Sequence, residues 1–535
     1  MNEISIMEEL LKKRGEEEDV LGKLYLRPMV SRDVALAAEK LYLKRLATGE
    51  IKSDEPLSDK ASIAMPWLKW YDENAITAER IHTNIYDYFL AMAPGDVPLI
   101  EYYGKEYYKS DIIREVREYM GRFSSMGIKE GETVSFMMLD VPEVFFSMLA
   151  LAKMGAITNL IKFDESPERI KFMTQKGNSR YMFISEVNFI VKNTLESLNL
   201  GNEIEKIVTI PITDAMTMAN KLSLIANQVE NMDDNKNFSL NTLKNLKKFL
   251  SNQEELSNLI ANHPNCITFS EWKKTYPVVN VKGIENGTSN VAVIVYTGGT
   301  TGQPKGVEIT NDNMTVMAHD FIYGGFDFNK GYTSMNILPP GPSYYLNATY
   351  GLMCCGVKVN MISNFRISEY PDLVKEHRPN IFLSGPVLLN EIVRRDILDD
   401  TSFMVAPISG GDKYHKSEEQ AFNEYAQSHS KNGSNVVAHQ GYGMSESTAA
   451  ASYAKQNAHV LGSIGIPLLD VTMGIFDYQS YDEYLKEGSP IEKSFGEIGE
   501  ICITGPTVMK GYRGDKEETE KILRKHDDGR IWLHT

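Results

Sequence analysis

Cysteine is scarce in this sequence, and its spacing excludes more than its presence suggests. Cys266, Cys354, Cys355 and Cys502 form no C-x-x-C pair. A stapled disulfide scaffold is therefore excluded, and the four read as buried, reduced thiols rather than metal or disulfide chemistry. Long apolar runs are also missing. The longest, near Phe145 to Ile157, is interrupted by Lys153 and is too short to cross a bilayer. The N-terminal stretch MNEISIMEELLKKRGEEEDV is acidic and has no apolar centre, so no secretory signal is expected there. Positive charge is in deficit: 56 Lys and Arg against 72 Asp and Glu leave a formal net charge of −16. Gripping a phosphate backbone needs a basic stripe, so nucleic acid is not the expected partner. What remains, 42% hydrophobic and 24% charged residues, suits a soluble, cytoplasmic globular enzyme of several packed units, with no integral membrane part.

The chain changes rhythm several times. Residues 1–60 read as a charged helical extension, with Leu and Ala on one face of 33–46. Strands and helices then alternate. Thr133 to Leu139 reads as a strand, and Pro142 sits in the first turn of the helix after it. Val141, Val144, Phe145 and Met148 make that helix's apolar stripe. Further strands are predicted at 156–161, 181–185 and 206–210. Residues 219–265, rich in Asn and Lys, interrupt the pattern as a helical insertion without strands. Alternation resumes at Val291, with strands over 291–297, 357–362, 380–383, 403–408 and 435–439. Strands separated by helices imply parallel pairing. From about 460 the pattern becomes β-rich. The expected fold is α/β: two mostly parallel α/β subdomains, 61–290 and 291–459, and a smaller β-rich subdomain, 460–535, shaped as a distorted barrel.

The string from Tyr296 to Gly306, YTGGTTGQPKG, carries the chemistry. It leaves the continuous apolar strand Val291 to Val295. Glycines let backbone N–H groups approach an anion without a Cβ in the way. Threonine hydroxyls add donors, and Lys305 supplies a mobile positive charge that can follow phosphate oxygens. It is not a Walker loop, because Lys305 stands between Pro304 and Gly306 rather than in G-K-[ST]. Asn311 and Asp312 are candidate caps for the next helix.

Two further strings end strands. Ser409-Gly410-Gly411-Asp412 would let a ligand lie flat on the backbone. Gln440-Gly441-Tyr442-Gly443-Met444-Ser445-Glu446 offers an aromatic ring that can stack on a planar base. Glu446 there offers a hard oxygen for Mg²⁺, which is held by one or two carboxylates plus substrate phosphates.

In this order the strings resemble the AMP-forming adenylate synthetases: acyl-CoA synthetases, peptide-synthetase adenylation domains and luciferases. The resemblance spans about residues 80–535, and MPWLKWYDENA looks most like bacterial fatty acyl-CoA synthetases. It implies catalytic roles for Lys305, Ser445 and Glu446, with Glu446 on magnesium. It implies nucleotide contacts from Thr297, Gly298, Gly299, Thr300, Thr301 and Gly302, from Gly410, Gly411 and Asp412, and from Gly441, Tyr442 and Gly443. The family usually has Ser at position 298 and Thr at 445. Tyr344 and Tyr345 stand where the family guards its acyl tunnel, though a place in the core suits them equally. The blocks Gly462 to Pro467, Gly496 to Glu500 and Gly505 to Tyr512 resemble architectural family turns.

The resemblance implies ATP-dependent activation of a carboxylic acid, fatty or otherwise small, to an acyl-adenylate and pyrophosphate. Transfer to a thiol, most simply coenzyme A, would follow. Alternatives are a ligase that loads a carrier-protein phosphopantetheine and a nucleotide-binding protein without turnover. The sequence ends at Thr535, within a family block that continues into a Gly-Asp pair and a C-terminal lid domain. The expectation is a large N-terminal domain that binds nucleotide better than it turns it over.

Overall fold

The computed structural model describes residues 59–216, 220–221, 252–297, 302–363 and 365–535. The helical extension expected over 1–60 and most of the insertion expected over 219–265 lie outside them. Two large, mostly parallel sheets and one small sheet organise the described chain.

The first sheet has eight strands, ordered Gly511–Tyr512, Gly306–Thr310, Val291–Tyr296, Ile157–Leu160, Thr133–Met137, Ser179–Ser185, Lys206–Ile210 and Cys266–Thr268. The central strands are buried on both faces, and their polar members are paired there: Asn159 donates to the Ser135 hydroxyl at 2.8 Å, and Ser135 to that of Ser179 at 2.7 Å. Phe136 stacks on Phe183 at 5.4 Å, and Trp272 meets Phe183 edge-on. The helix Pro142–Met154 begins on the expected proline and ends on Gly155 in the left-handed region, φ 74°. Its buried surface is wider than the predicted stripe, because it lies between the helices Ile85–Met92 and Lys109–Ser125 and the strand Ile157–Leu160.

The second sheet has nine strands, ordered Ile466–Pro467, Ser452–Tyr453, His439–Tyr442, Ala406–Ser409, Ile381–Ser384, Thr333–Asn336, Lys358–Met361, Pro98–Tyr102 and Lys105–Tyr108. One continuous core joins the two large sheets, with Phe136, Val295, Met317, Tyr350 and Val359 all in it. Between them, Tyr344–Leu346 passes into a π turn, Asn347–Gly351. Gly351 permits this packing: a Cβ there would come within 2.8 Å of Phe321 and 2.9 Å of Met317.

The small sheet, ordered Thr472–Phe476, Glu500–Thr504, Ile531–His534 and Leu523–Lys525, is antiparallel. It is open rather than the expected distorted barrel. Among the described residues its two outer strands do not pair with each other, so the ring does not close.

Sheet membership also crosses the divisions drawn at 290 and 459. Strands 291–296 and 306–310 lie in the first sheet, 98–108 in the second, and 511–512 pairs back onto Gly306–Thr310.

Candidate active site

Three loops converge where strands end. The first is the tip of a hairpin. Val291–Tyr296 pairs antiparallel with Gly306–Thr310, and the Thr297 N–H donates to the Lys305 carbonyl at 3.2 Å. Gly298, Gly299, Thr300 and Thr301 lie outside the described residues; Gly302 is exposed. The helix after the hairpin is capped by Thr310 rather than by Asn311 or Asp312. The Thr310 hydroxyl accepts from the Asn313 N–H while the Asn313 side chain accepts from the Thr310 N–H, a reciprocal pair.

Lys305 is not free in solvent. Its ammonium pairs with Glu518, from the first turn of the helix Lys516–Ile522, and lies 5.0 Å from the centre of the Tyr512 ring. Hydrogen bonds from Lys305 and Lys521 hold the Glu518 carboxyl down to about 2. On its other side Tyr512 donates its hydroxyl to Glu446 Oε1 at 2.6 Å. Burial first, and the Glu446 charge second, push the Tyr512 phenol up, so it stays a donor. One aromatic ring thus joins the candidate phosphate lysine to the candidate magnesium carboxylate. Glu446 is buried, and its carbonyl accepts from the Met509 N–H at 2.8 Å.

The second loop follows Ala406–Ser409. Gly411 has φ 80°, and a Cβ on Gly410 would stand 3.3 Å from the Tyr344 hydroxyl. Asp412 is exposed, and its carboxylate accepts from the Lys413 N–H at 2.7 Å.

The third loop follows His439–Tyr442. Gly441 and Tyr442 belong to this strand rather than following it. Ile408↔His439 pairing on one side and Gly441↔Tyr453 pairing on the other carry the strand past the apolar run that suggested its end. Gly443 is the position where only glycine fits, because a Cβ would lie 2.0 Å from the Ala449 carbonyl oxygen. Thr448 and Ala449 follow with φ 55° and 76°. Two successive non-glycine residues in the left-handed region mark strain of the kind that collects at ligand sites. The Thr448 hydroxyl anchors this turn on the Thr507 carbonyl at 2.6 Å, and the Ser445 hydroxyl lies 3.2 Å from that of Ser343.

The second and third loops border a cavity of about 210 Å³. Gly410, Gly411, Gly441, Tyr442, Gly443 and Ser445 line it, beside an apolar wall that includes Phe321, Phe326, Leu383, Ile408 and Tyr453. Among the described residues no charged side chain lines it. Thr297, Gly302, Lys305, Asp412 and Glu446 are not on its wall. Tyr344 is on the wall, whereas Tyr345 is fully buried in the core. Asn347, in the π turn, presents a buried Oδ1 with no protein partner among the described residues.

Sequence reasoning missed Tyr512, Glu518, Ser343 and Asn347. Tyr512 stood in a block read as architectural, and nothing in local spacing points from it to Glu446.

A family model described as AMP-binding enzyme matches residues 109–513. The chain belongs to this family. Among curated relatives, a Bacillus subtilis long-chain-fatty-acid–CoA ligase is 23% identical over 82% of this chain and 71% of its own. A luciferin 4-monooxygenase of Nipponoluciola cruciata is 27% identical over 46% of this chain, and a 4-coumarate-CoA ligase of Narcissus pseudonarcissus is 28% identical over 51%. These two matches span less than half of the relatives' own lengths, 42% and 48%. Solved structures share the fold. A long-chain-fatty-acid-CoA ligase of Archaeoglobus fulgidus superposes with TM-score 0.66 at 16% identity, over 86% of this chain and 82% of that one. An anthranilate CoA ligase bound to anthranoyl-AMP gives 0.65 at 15%, over 86% and 76%. No helix among the described residues is long and apolar enough to cross a membrane.

Proposed function

We propose that the protein activates a carboxylic acid with ATP and transfers the acyl group to coenzyme A. The observation that carries this reading is the convergence at strand ends. A glycine-lined cavity has Ser445 on its wall, and the next residue, Glu446, is joined to Lys305 through the ring of Tyr512. Crevices at the carboxyl ends of parallel strands are where α/β sheets bind ligands.

A carboxylate oxygen would attack the α-phosphorus, the bond to the bridging oxygen would break, and pyrophosphate would leave. A thiol would then attack the acyl carbon and expel AMP. No protein nucleophile is required, so the chain's work is positioning and charge neutralisation. Lys305 would leave Glu518 for the β- and γ-phosphates. Thr297 and the loop through Gly302 would donate to the same oxygens. Tyr442 would face the adenine, with Gly410, Gly411, Asp412, Gly441 and Gly443 around it, and Ser445 would meet the α-phosphate. A buried carboxylate whose one oxygen is already fixed suits a hard cation, so Glu446 would hold Mg²⁺. The ion would offset charge between the phosphates.

The cavity also bears on the acid. With no charge on its wall, an ammonium group would be left without a counter-ion, so an acid with an apolar remainder fits better than an amino acid. Four unpaired cysteines support a reducing, cytoplasmic setting.

The test is acid-dependent pyrophosphate release by the protein over aliphatic, aromatic and amino acids, followed by supply of coenzyme A or a carrier-protein phosphopantetheine. Release with apolar acids and a coenzyme A thioester is expected. No acid-dependent release with any class overturns the proposal.

A further inference from the structure

The small sheet holds a second cluster of functional side chains, remote in role from the loops above. Glu500 and Cys502 lie two residues apart on the strand Glu500–Thr504, so both project from one face. His534 is the direct cross-strand partner of Cys502 on Ile531–His534. His526 begins the hairpin turn that joins Leu523–Lys525 to that strand, closed by the His526 N–H on the Arg530 carbonyl at 3.0 Å. Pleat alternation and antiparallel register therefore bring residues from two strands and a turn to one spot.

The distances are short. His534 Nδ1 is 3.0 Å from Glu500 Oε2 and 3.6 Å from Cys502 Sγ, and the three ligand atoms all lie within 4.8 Å of one another. Zinc bonds of ~2.0–2.3 Å to N, O and S place tetrahedral ligands about 3.4 Å apart, so these separations need little adjustment. The other ring nitrogen, Nε2, is 2.9 Å from His526 Nε2. Ligating histidines are commonly held in this way through the nitrogen that does not meet the metal. Cys502 is fully buried, His534 and His526 are buried, and the Glu500 side chain is 10% exposed, so Glu500 is the member nearest solvent. Phe476 and Trp532 wall the cluster: His526 stacks on Trp532 at 5.6 Å and meets Phe476 edge-on at 4.9 Å.

We propose that Glu500, Cys502 and His534 form a binding site for a single thiolate- and imidazole-favouring divalent cation, zinc above all, with His526 as the positioning partner of His534. The charges close, since one carboxylate and one thiolate neutralise the ion in a dry setting. Binding exchanges the Cys502 S–H bond for an S–metal bond and releases that proton. His534 would meet the ion through Nδ1 as the neutral Nε2–H tautomer, and that N–H would donate to Nε2 of a neutral His526 carrying its own proton on Nδ1. A fourth position remains for water. The ion would clamp the strand Glu500–Thr504 to Ile531–His534 and has no part in the adenylation chemistry. The reading of the cysteines as inert thiols looked for C-x-x-C spacing, whereas ligands on a strand come at spacing two.

Cobalt(II) is the probe, titrated into chelator-stripped protein under thiol-reducing conditions. One equivalent should bring up a thiolate-to-cobalt charge-transfer band together with visible bands of tetrahedral strength, and added zinc should abolish both. About one proton should be released per ion. Cys502→Ala should remove the charge-transfer band, while Cys266→Ala keeps it. Glu500→Gln, which keeps the size of the side chain and removes its charge, should weaken cobalt binding by about tenfold or more. A titration without a charge-transfer band at one equivalent overturns the proposal. So does a band that survives Cys502→Ala, or wild-type affinity in Glu500→Gln.

Discussion

Replacing Tyr512 with Phe removes one oxygen atom and tests the link between the two candidate catalytic groups. The hydroxyl donates to Glu446 Oε1 at 2.6 Å, and both residues are buried, Tyr512 at 8% and Glu446 at 4% exposure. A hydrogen bond to an ionised group contributes about 1.5–3 kcal/mol, and a buried acceptor left bare costs about as much. Tyr512→Phe should therefore destabilise the protein by about 2 kcal/mol. The ring stays, so its contact with Lys305 stays too. The measurement is equilibrium urea unfolding at pH 7, followed by fluorescence from Trp532 and its neighbours. The companion is a double-mutant cycle with Glu446→Gln, since residues in contact show a coupling that distant ones lack. In the Glu446→Gln background the Tyr512→Phe cost should fall below about 1 kcal/mol. A Tyr512→Phe cost under about 0.5 kcal/mol, or strict additivity in the cycle, refutes the reasoning.

Four further outcomes are expected. Glu446→Gln should sharply lower carboxylate-dependent pyrophosphate exchange, and an unchanged rate removes Glu446 from the proposed mechanism. Gly443→Ala must displace the Ala449 carbonyl, so it should cost several kcal/mol and empty the cavity of nucleotide, as read by unfolding and by ATP binding. Glu518, held near 2 against an ordinary 4.5, adds stability that is full above pH 4.5 and disappears as pH falls towards 2. The pair is about a third exposed, so solvent screening reduces this to about 1 kcal/mol or less; Glu518→Gln should flatten that acid limb. His439 behaves in the same direction for a different reason: burial holds its imidazole down to about 4. The unfolded chain takes up the proton near 6.5 first, so stability falls between pH 6.5 and 4, by up to about 3 kcal/mol. His439→Asn should lose less over that window, seen as a smaller drop in Tm.

Much of the architecture could be read from pattern alone because parallel strands buried on both faces print continuous apolar runs. Val291 to Val295 shows it most clearly, while the buried Ser135, Thr158, Asn159 and Thr209 show that central strands also hold polar residues. The glycine strings were visible for an equally local reason: close approach and positive φ leave a mark in residue type, as Gly443 and Gly411 show. Pairing partners leave none. The antiparallel return of 306–310 onto 291–296 has no mark in either run, and the open edge of the small sheet looked closed, since an edge is defined by what is not beside it. Tyr512 to Glu446 spans 66 residues and Glu518 to Lys305 spans 213, so neither contact has a periodic signature. The strand expected over 435–439 is displaced to His439–Tyr442, because pairing with neighbours on both sides rather than the apolar run sets its place.

The pairing of Gly511–Tyr512 with Gly306–Thr310 has a consequence for the order of events during synthesis. The hairpin can form as soon as residue 310 emerges, but its outer partner is made some 200 residues later. At 5–20 residues per second that interval is roughly 10–40 s. Throughout it Lys305 has neither Glu518 nor the Tyr512 ring, and the edge of the eight-stranded sheet is bare. A nascent chain stalled before residue 511 would therefore offer a ribosome-bound sheet edge. Capture of that edge by the chain's own late strand would follow only once Gly511–Tyr512 has emerged.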